Sequence, residues 1–279
     1  MTTTKRNAGF TLVELAIVLV IIGLLVGGVL VGQDLIKQAE IRSVVEQTES
    51  TNAAVNTFRG KYGGFPGDLL TSRAAQFGLT ARNGADARGD GDGVVEGWNG
   101  TAATHNAIGS ENGLFWRDMS QVGLIGDGFN TATDAAAATL TAATLPNWLP
   151  QTKLRESTFV SIVPSAGRNN YYIDQITATN ATGIVTSTGT GLTPLEAQSI
   201  DEKLDDGAPY GGTIRAVSSL TASAPAGPTP PAGNYNYTHS AAAVPAAGVC
   251  VSNAAGNPYN VLDQFQNVPA CGLVVRASF

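Results

Sequence analysis

A long apolar stretch near the N-terminus constrains the fold of this chain more than any other feature. Between Phe10 and Gly32 the only polar side chains are those of Thr11 and Glu14. A helix of about 20 residues crosses the hydrocarbon core of a bilayer, and this stretch has that length. A secretory signal peptide has a shorter apolar region and is cut on its C-terminal side. The stretch therefore predicts a membrane-spanning helix.

Two basic residues set the expected orientation of this helix. Lys5 and Arg6 are the only charged residues before Phe10. Because cytoplasmic flanks of membrane helices are enriched in Lys and Arg, we expect residues 1–9 in the cytoplasm and the chain after Gly32 outside. Without residues 1–9 the formal net charge changes from −6 to −8, because two cations leave. Such an acidic product does not favour nucleic-acid binding.

Glu14 is the single ionisable residue in the apolar stretch. A charge in an apolar helix costs free energy, which makes Glu14 a functional candidate. The alternative interpretation is that its carboxylate reaches the lipid headgroups. Its neighbours favour a function. The run GFTLVE from Gly9 to Glu14, with a short basic leader before it and an apolar run after it, resembles the processing site of type IV prepilins and type II secretion pseudopilins.

The resemblance implies how the N-terminus is processed and used. Prepilin peptidase, a membrane aspartic peptidase, would cut after Gly9, and the new terminal residue Phe10 would be N-methylated. Glu14 would pair with the free N-terminal amine of a neighbouring subunit during assembly. Opposite charges in an apolar helix bundle relieve each other's desolvation cost, which penalises a wrong register. Many type IV pilins carry a proline within this helix, whereas the first proline here is Pro66, so no proline kink is expected.

The helix is predicted to continue well beyond the membrane. Its outer half carries an apolar stripe at helical spacing, consisting of Ile41, Val44, Val45, Thr48, Val55 and Phe58. No helix breaker occurs before Gly60, so the helix would run from Phe10 to Arg59 and measure about 75 Å. The predicted fold is α+β: a long N-terminal α-helix, membrane-embedded in its first half, packed on a β-rich globular head. The resemblance implies this same pilin-like lollipop.

Four segments are predicted along the chain. They are a leader peptide at 1–9, a transmembrane and filament-core helix at 10–32, an amphipathic extension at 33–59, and an extracytoplasmic head at 60–279. In the head, a helix is predicted at 112–122, and a second one begins at the N-cap Thr193 with its capping-box Glu196 and ends at Asp206. Enrichment in β-branched and aromatic residues predicts strands at 159–163, 171–177, 184–188, 213–217, 249–251 and 273–277.

The two cysteines are expected to form a disulfide. Cys250 and Cys271 both lie in the part of the chain that would be exported, where the compartment is oxidising. The alternative is a pair of buried free thiols. A disulfide-closed C-terminal loop also resembles that of many type IV pilins.

A glycine-rich acidic loop is a candidate calcium site. Asp90, Asp92 and Glu96 lie in or beside the run Gly89-Asp-Gly-Asp-Gly93, with Asp86 shortly before it, and could offer several oxygens to Ca²⁺. The EF-hand spacing fits badly, because its first ligand position falls on Arg88. The alternative is a solvated acidic turn. No other cofactor is expected.

Catalysis has little support in the sequence. His105 and His239 are the only histidines, and neither belongs to a metal-binding spacing. No nucleophile elbow, Walker loop or Rossmann glycine pattern occurs. We therefore do not expect an enzyme.

The sequence predicts a structural subunit, a pilin or pseudopilin, of a type IV pilus or a type II secretion-like filament. Its expected partners are prepilin peptidase, other pilin or pseudopilin subunits and the inner membrane. It would be a single-pass inner-membrane protein before assembly, with its head in the periplasm or outside, and part of a filament or the cell surface afterwards. The alternative is a minor pilin with an adhesin or ligand-binding head, because 279 − 9 = 270 residues leave room for one.

Overall fold

The computed structural model describes residues 11–84, 88–98, 103–104, 107–135, 139–165, 167–180, 185–187, 191–209, 212–217, 250–251, 259 and 269–279. The chain divides into two units, one up to Glu40 and the other from Ile41 to Phe279. Gly9 and Phe10 lie outside the described residues, as do Asp86 and both histidines. The predicted boundaries after residues 9 and 32 stay predictions.

The described elements follow one another along the chain in this order: α1 (Leu12–Tyr62), α2 (Thr71–Gln76), β1 (Gly97–Trp98), β2 (Ala103–Thr104), α3 (Glu111–Gln121), a 3-10 turn (Leu145–Asn147), β3 (Thr158–Ser165), β4 (Arg168–Thr179), β5 (Val185–Ser187), α4 (Pro194–Leu204), β6 (Ile214–Val217) and β7 (Gly272–Arg276). The α+β class, with a long N-terminal helix and an antiparallel sheet, is confirmed.

Helix α1 begins with the apolar stretch. Among the described residues it is the one helix long and apolar enough to cross a membrane by length and composition, with a mean hydropathy of 3.0 over its most apolar 18 residues. Its predicted end at Arg59 is three residues too early. The helix continues through Gly60 because Tyr62 is buried and packs its ring 4.5 Å from that of Phe58 and 4.9 Å from that of Phe77.

The outer part of α1 packs one face into the core of the second unit. Five of the six residues of the predicted stripe are buried, and Val45 is half-buried. The hydroxyl of Tyr171 on β4 donates to the amide oxygen of Asn52 on α1 at 3.1 Å, so the contact with the sheet is polar as well as apolar. Phe115 on α3 and the ring of Phe279 complete this part of the core.

A five-stranded antiparallel sheet forms the other side of the core. Strands β3, β4, β7 and β6 lie side by side in that order, and β5 pairs with β4. In the longest pairing Thr158 faces Gln175 and Ser165 faces Arg168. Five of the six predicted strands are present with shifted ends. The sixth, at 249–251, has only an isolated bridge between Val251 and Tyr259 among the described residues.

The predicted helices of the head are confirmed with small shifts. Helix α3 begins one residue before the predicted start at Asn112. Helix α4 has the predicted capping box, because Thr193 accepts from the Glu196 amide and Glu196 accepts from the Thr193 amide. It ends at Leu204, two residues before the predicted end. The short helix α2 and the hairpin of β1 and β2 were not predicted. Strands of two residues are too short to show the alternation of apolar and polar residues that identifies a strand.

The exit from α1 is held against α3 by a buried ion pair. Arg82 donates from Nη2 to both carboxylate oxygens of Asp118, at 2.9 and 3.1 Å, and both side chains are fully buried. Gly67 lies between them, donating its amide to Asp118 at 2.8 Å and accepting from Arg82 Nη1 at 3.0 Å. Its φ of 82°, and the collision of any Cβ with the Glu111 carbonyl, require glycine here.

The predicted disulfide between Cys250 and Cys271 is present, and both cysteines are fully buried. Cys271 also pairs with Leu192, whose amide donates to the Cys271 carbonyl at 2.8 Å. The disulfide therefore joins Cys250 to the segment before β7, and the backbone pairing of Cys271 with Leu192 joins that segment to the residues that lead into α4.

Candidate assembly site and acidic clusters

Glu14 and Thr11 form the N-terminal cap of α1. The Glu14 carboxylate accepts from the Thr11 amide at 2.8 Å and from the Thr11 hydroxyl at 2.9 Å, and the Thr11 hydroxyl in turn accepts from the Glu14 amide at 3.2 Å. The Thr11 carbonyl accepts from Leu15. This is a capping box, which satisfies amides that have no partner inside the helix. The carboxylate is thus aimed at the N-terminal end of the helix.

The first unit exposes almost all of its apolar side chains. Seventeen large apolar residues between Leu12 and Ile36 are exposed, at fractions from 50% to 86%. A soluble monomer rarely exposes a contiguous apolar surface of this size, which marks a membrane or protein contact. Glu14 is the only acidic residue of this surface before Asp34.

A second site lies in the head, where three carboxylates meet. One oxygen each from Asp68, Asp90 and Glu111 lies within 4.8 Å of the others. Asp68 and Glu111 are buried, and Asp90 is half-buried. Asp68 follows the turn at Gly67, and Glu111 is the first residue of α3, so the buried ion pair of Arg82 and Asp118 lies beside this cluster.

The glycine-rich loop supplies amides to the two buried carboxylates. Asp68 accepts from Gly91 at 2.8 Å and from Gly93 at 2.9 Å. Glu111 accepts from Gly89 at 2.6 Å and from Glu96 at 2.9 Å. Every oxygen of these two carboxylates therefore already has a hydrogen-bond donor.

Burial raises the pKa values of both buried carboxyl groups. Burial raises the pKa of Asp68 to about 7, although the two loop amides oppose the shift. Burial, followed by the charge of Asp68, raises the pKa of Glu111 to about 9. With these pKa values Glu111 holds a proton at neutral pH, because burial and the neighbouring charge of Asp68 both disfavour its ionised form.

A second acidic group of the head lies at the end of α4. One oxygen each from Asp201, Asp205 and Asp206 lies within 4.8 Å of the others. Asp201 is fully buried, Asp205 is half-buried and Asp206 is exposed. The hydroxyl of Tyr259 donates to Asp201 Oδ2 at 2.9 Å.

The comparison with known families concerns the N-terminal end of the chain. A family model described as a prokaryotic N-terminal methylation motif matches residues 4–30. This chain carries a type IV pilin-like N-terminus. The match covers the basic leader, the run from Gly9 to Glu14 and most of the apolar stretch. No curated protein and no solved structure matches the chain.

The pilin-like N-terminus supports a type IV pilin-like or pseudopilin subunit and membrane anchoring of the apolar helix. The motif implies processing by prepilin peptidase and assembly with other pilin subunits. Cleavage after Gly9, methylation of Phe10 and pairing by Glu14 stay predictions. The capping role of Glu14 was missed, although the spacing of Thr11 and Glu14 is a capping-box signature.

The predicted calcium residues are only partly brought together. Of Asp90, Asp92 and Glu96, the acidic group includes Asp90 alone, and Asp92 instead accepts from the Val94 amide at 2.8 Å. Calcium binding at this loop stays a prediction. Asp68 and Glu111 were missed because they lie 43 residues apart in the sequence and no local pattern connects them.

Proposed function

We propose that this chain is a structural subunit of a type IV pilus or type II secretion-like filament, processed by prepilin peptidase and assembled through its N-terminal helix. The observation that supports the proposal is the methylation motif at residues 4–30 at the start of an exposed apolar helix.

The apolar surface of α1 explains why such a helix is stored in a membrane and then moves into a filament. Burying one large aliphatic side chain contributes about 1.5–3 kcal/mol relative to water. The seventeen exposed side chains between Leu12 and Ile36 therefore favour any apolar surrounding strongly. Lipid and a bundle of like helices both supply one, so transfer between them keeps the apolar surface away from water.

Glu14 can define the register in which neighbouring helices pack, because the rest of this surface before Asp34 has no acidic residue. Its carboxylate lies at the helix N-terminus, where it satisfies the amide and the hydroxyl of Thr11. After cleavage at Gly9 the new terminal amine would lie four residues before Glu14. In a bundle, the amine of one subunit would pair with the Glu14 carboxylate of the next, and a subunit in another register would leave both charges unpaired.

The experiment compares three variants for incorporation into wild-type filaments. Glu14→Ala, Glu14→Gln and Asp34→Asn are each expressed with a tag beside untagged wild-type chain. Asp34 is the matched control, because it is an exposed carboxylate on the same helix beyond the apolar stretch. Membrane insertion and N-terminal cleavage are expected for all three.

Incorporation into the sheared filament fraction should fall more than about tenfold for both Glu14 variants, since breaking one partner of a buried ion pair costs about 3–5 kcal/mol. Asp34→Asn should assemble normally. Equal incorporation of Glu14→Ala and wild type would contradict the assembly role of Glu14.

A further inference from the structure

The acidic group at the end of α4 differs from the one beside the glycine-rich loop in one respect. Asp201 is fully buried, and its Oδ1 has no hydrogen-bond partner within the part of the chain that the structure describes. Leaving a buried carboxylate oxygen without a donor costs free energy, and such atoms call for an explanation.

The surroundings of the three carboxylates favour a cation. They lie at the C-terminal end of α4, where the helix dipole attracts positive charge and opposes negative charge. Asp201 is fully buried, and Asp205 and Asp206 each bring a further carboxylate oxygen within 4.8 Å of it. Three acidic side chains at a helix C-terminus are therefore unfavourable without a counter-ion.

The donor set points to the kind of cation. The three residues offer only carboxylate oxygens, which suit hard cations such as Ca²⁺ rather than metals that prefer nitrogen or sulfur. Asp206 is exposed, so water can complete a coordination shell on that side. Ca²⁺ takes 6–8 oxygen ligands in flexible geometry and tolerates such a mixed shell.

We propose that Asp201, Asp205 and Asp206 bind one Ca²⁺ ion at the C-terminal end of α4. The ion would stabilise the place where three parts of the head meet. Asp201 holds Tyr259, which lies between the two disulfide cysteines in the sequence. Asp205 accepts from the amides of Thr213 and Ile214, at the start of β6. Calcium at Asp201 and Asp205 would therefore fasten Tyr259 and β6 to α4.

The test measures Ca²⁺ binding by the purified full-length chain in detergent, using isothermal titration calorimetry. The variants are Asp206→Asn and Asp201→Asn, in which the amide oxygen can keep the existing hydrogen bonds. Two variants serve as controls: Asp127→Asn changes an exposed carboxylate elsewhere, and Asp90→Asn changes the glycine-rich loop. Circular dichroism confirms that each variant folds. If Asp201→Asn does not fold, Asp206→Asn decides.

The expected result is one Ca²⁺ ion whose affinity falls at least about tenfold in Asp206→Asn and in Asp201→Asn, because affinity follows the number of charged ligands. The same ion should bind normally to Asp127→Asn and Asp90→Asn. Tb³⁺ bound in place of Ca²⁺ should show tyrosine-sensitised luminescence, which Tyr259→Phe should reduce without lowering the amount bound. The proposal is overturned if no Ca²⁺ binds at millimolar concentration, or if binding is lost only in Asp90→Asn.

Discussion

Replacement of Arg82 by methionine should strongly destabilise the head. Arg82 and Asp118 are both fully buried, and one Arg82 nitrogen lies 2.9 and 3.1 Å from the two Asp118 oxygens. Arg82→Met removes the cation and leaves the carboxylate buried. Breaking a buried ion pair in this way costs about 3–5 kcal/mol. The loss should appear in the free energy of unfolding, measured by urea denaturation with tryptophan fluorescence, because buried Trp116 lies two residues from Asp118.

The loss of unfolding free energy in Arg82→Met should depend on pH in a direction that the pKa of Asp118 determines. Burial already raises the pKa of Asp118, and the Arg82 charge opposes that rise. Without Arg82 the folded-state pKa rises further above the unfolded value, so the folded variant takes up a proton. Stability contributed by that proton is present in acid and is lost as pH rises through the folded pKa. The deficit of Arg82→Met should therefore be smaller at acidic pH than at pH 8.

Two further variants test the electrostatic explanation. The double variant Arg82→Met with Asp118→Asn should recover at least about 1 kcal/mol relative to Arg82→Met, because the amide is neutral and still accepts from Gly67. Arg42→Met is the matched control, since Arg42 pairs with Glu46 at 2.8 Å but both side chains are exposed at 77% and 61%. It should cost no more than about 1 kcal/mol. Equal losses for Arg82→Met and Arg42→Met would show that burial does not make the pair of Arg82 and Asp118 stronger than an exposed ion pair.

Two other predictions concern the head. Cys250→Ser should lower the free energy of unfolding by about 3 kcal/mol, the chain-entropy value for a loop of this length, and reduced wild type should match it; an unchanged urea midpoint under reducing conditions would contradict this. The head should also lose stability as pH rises, because the pKa values of Asp68 and Glu111 lie at about 7 and about 9 in the fold against 3.8 and 4.5 otherwise. Urea midpoints between pH 4.5 and pH 8 should fall less steeply for Glu111→Gln than for wild type. Identical slopes would contradict the raised pKa of Glu111.

The sequence predicted those helix features that depend on residues close together in the chain. The capping box of Thr193 and Glu196 uses side chains three residues apart, and it fixed the start of α4 correctly. The buried stripe of α1 follows from helical spacing in the same way. The end of α1 does not, because Tyr62 extends the helix past Gly60 by packing on Phe77. A contact with a later segment therefore decided where the helix stops.

The acidic sites of the head could not be predicted for the same reason. The amides of the loop from Gly89 to Gly93 could have faced solvent, and only the fold shows that they donate to Asp68 and Glu111. The pairing of Asp201 with Tyr259 joins residues 58 positions apart. In contrast, the methylation motif is contiguous, so the N-terminal assignment needed no tertiary information.

Mass spectrometry of the chain purified from the filament fraction tests the proposed processing and assembly in one measurement. We expect a mature chain that begins at Phe10, with the mass of one added methyl group on that residue, and the loss of residues 1–9. Gly9→Leu should remain at full length in the membrane fraction, since the peptidase would no longer accept the site. A filament chain that still begins at Met1, or one cut on the C-terminal side of the apolar stretch, would contradict the proposed pilin-like processing.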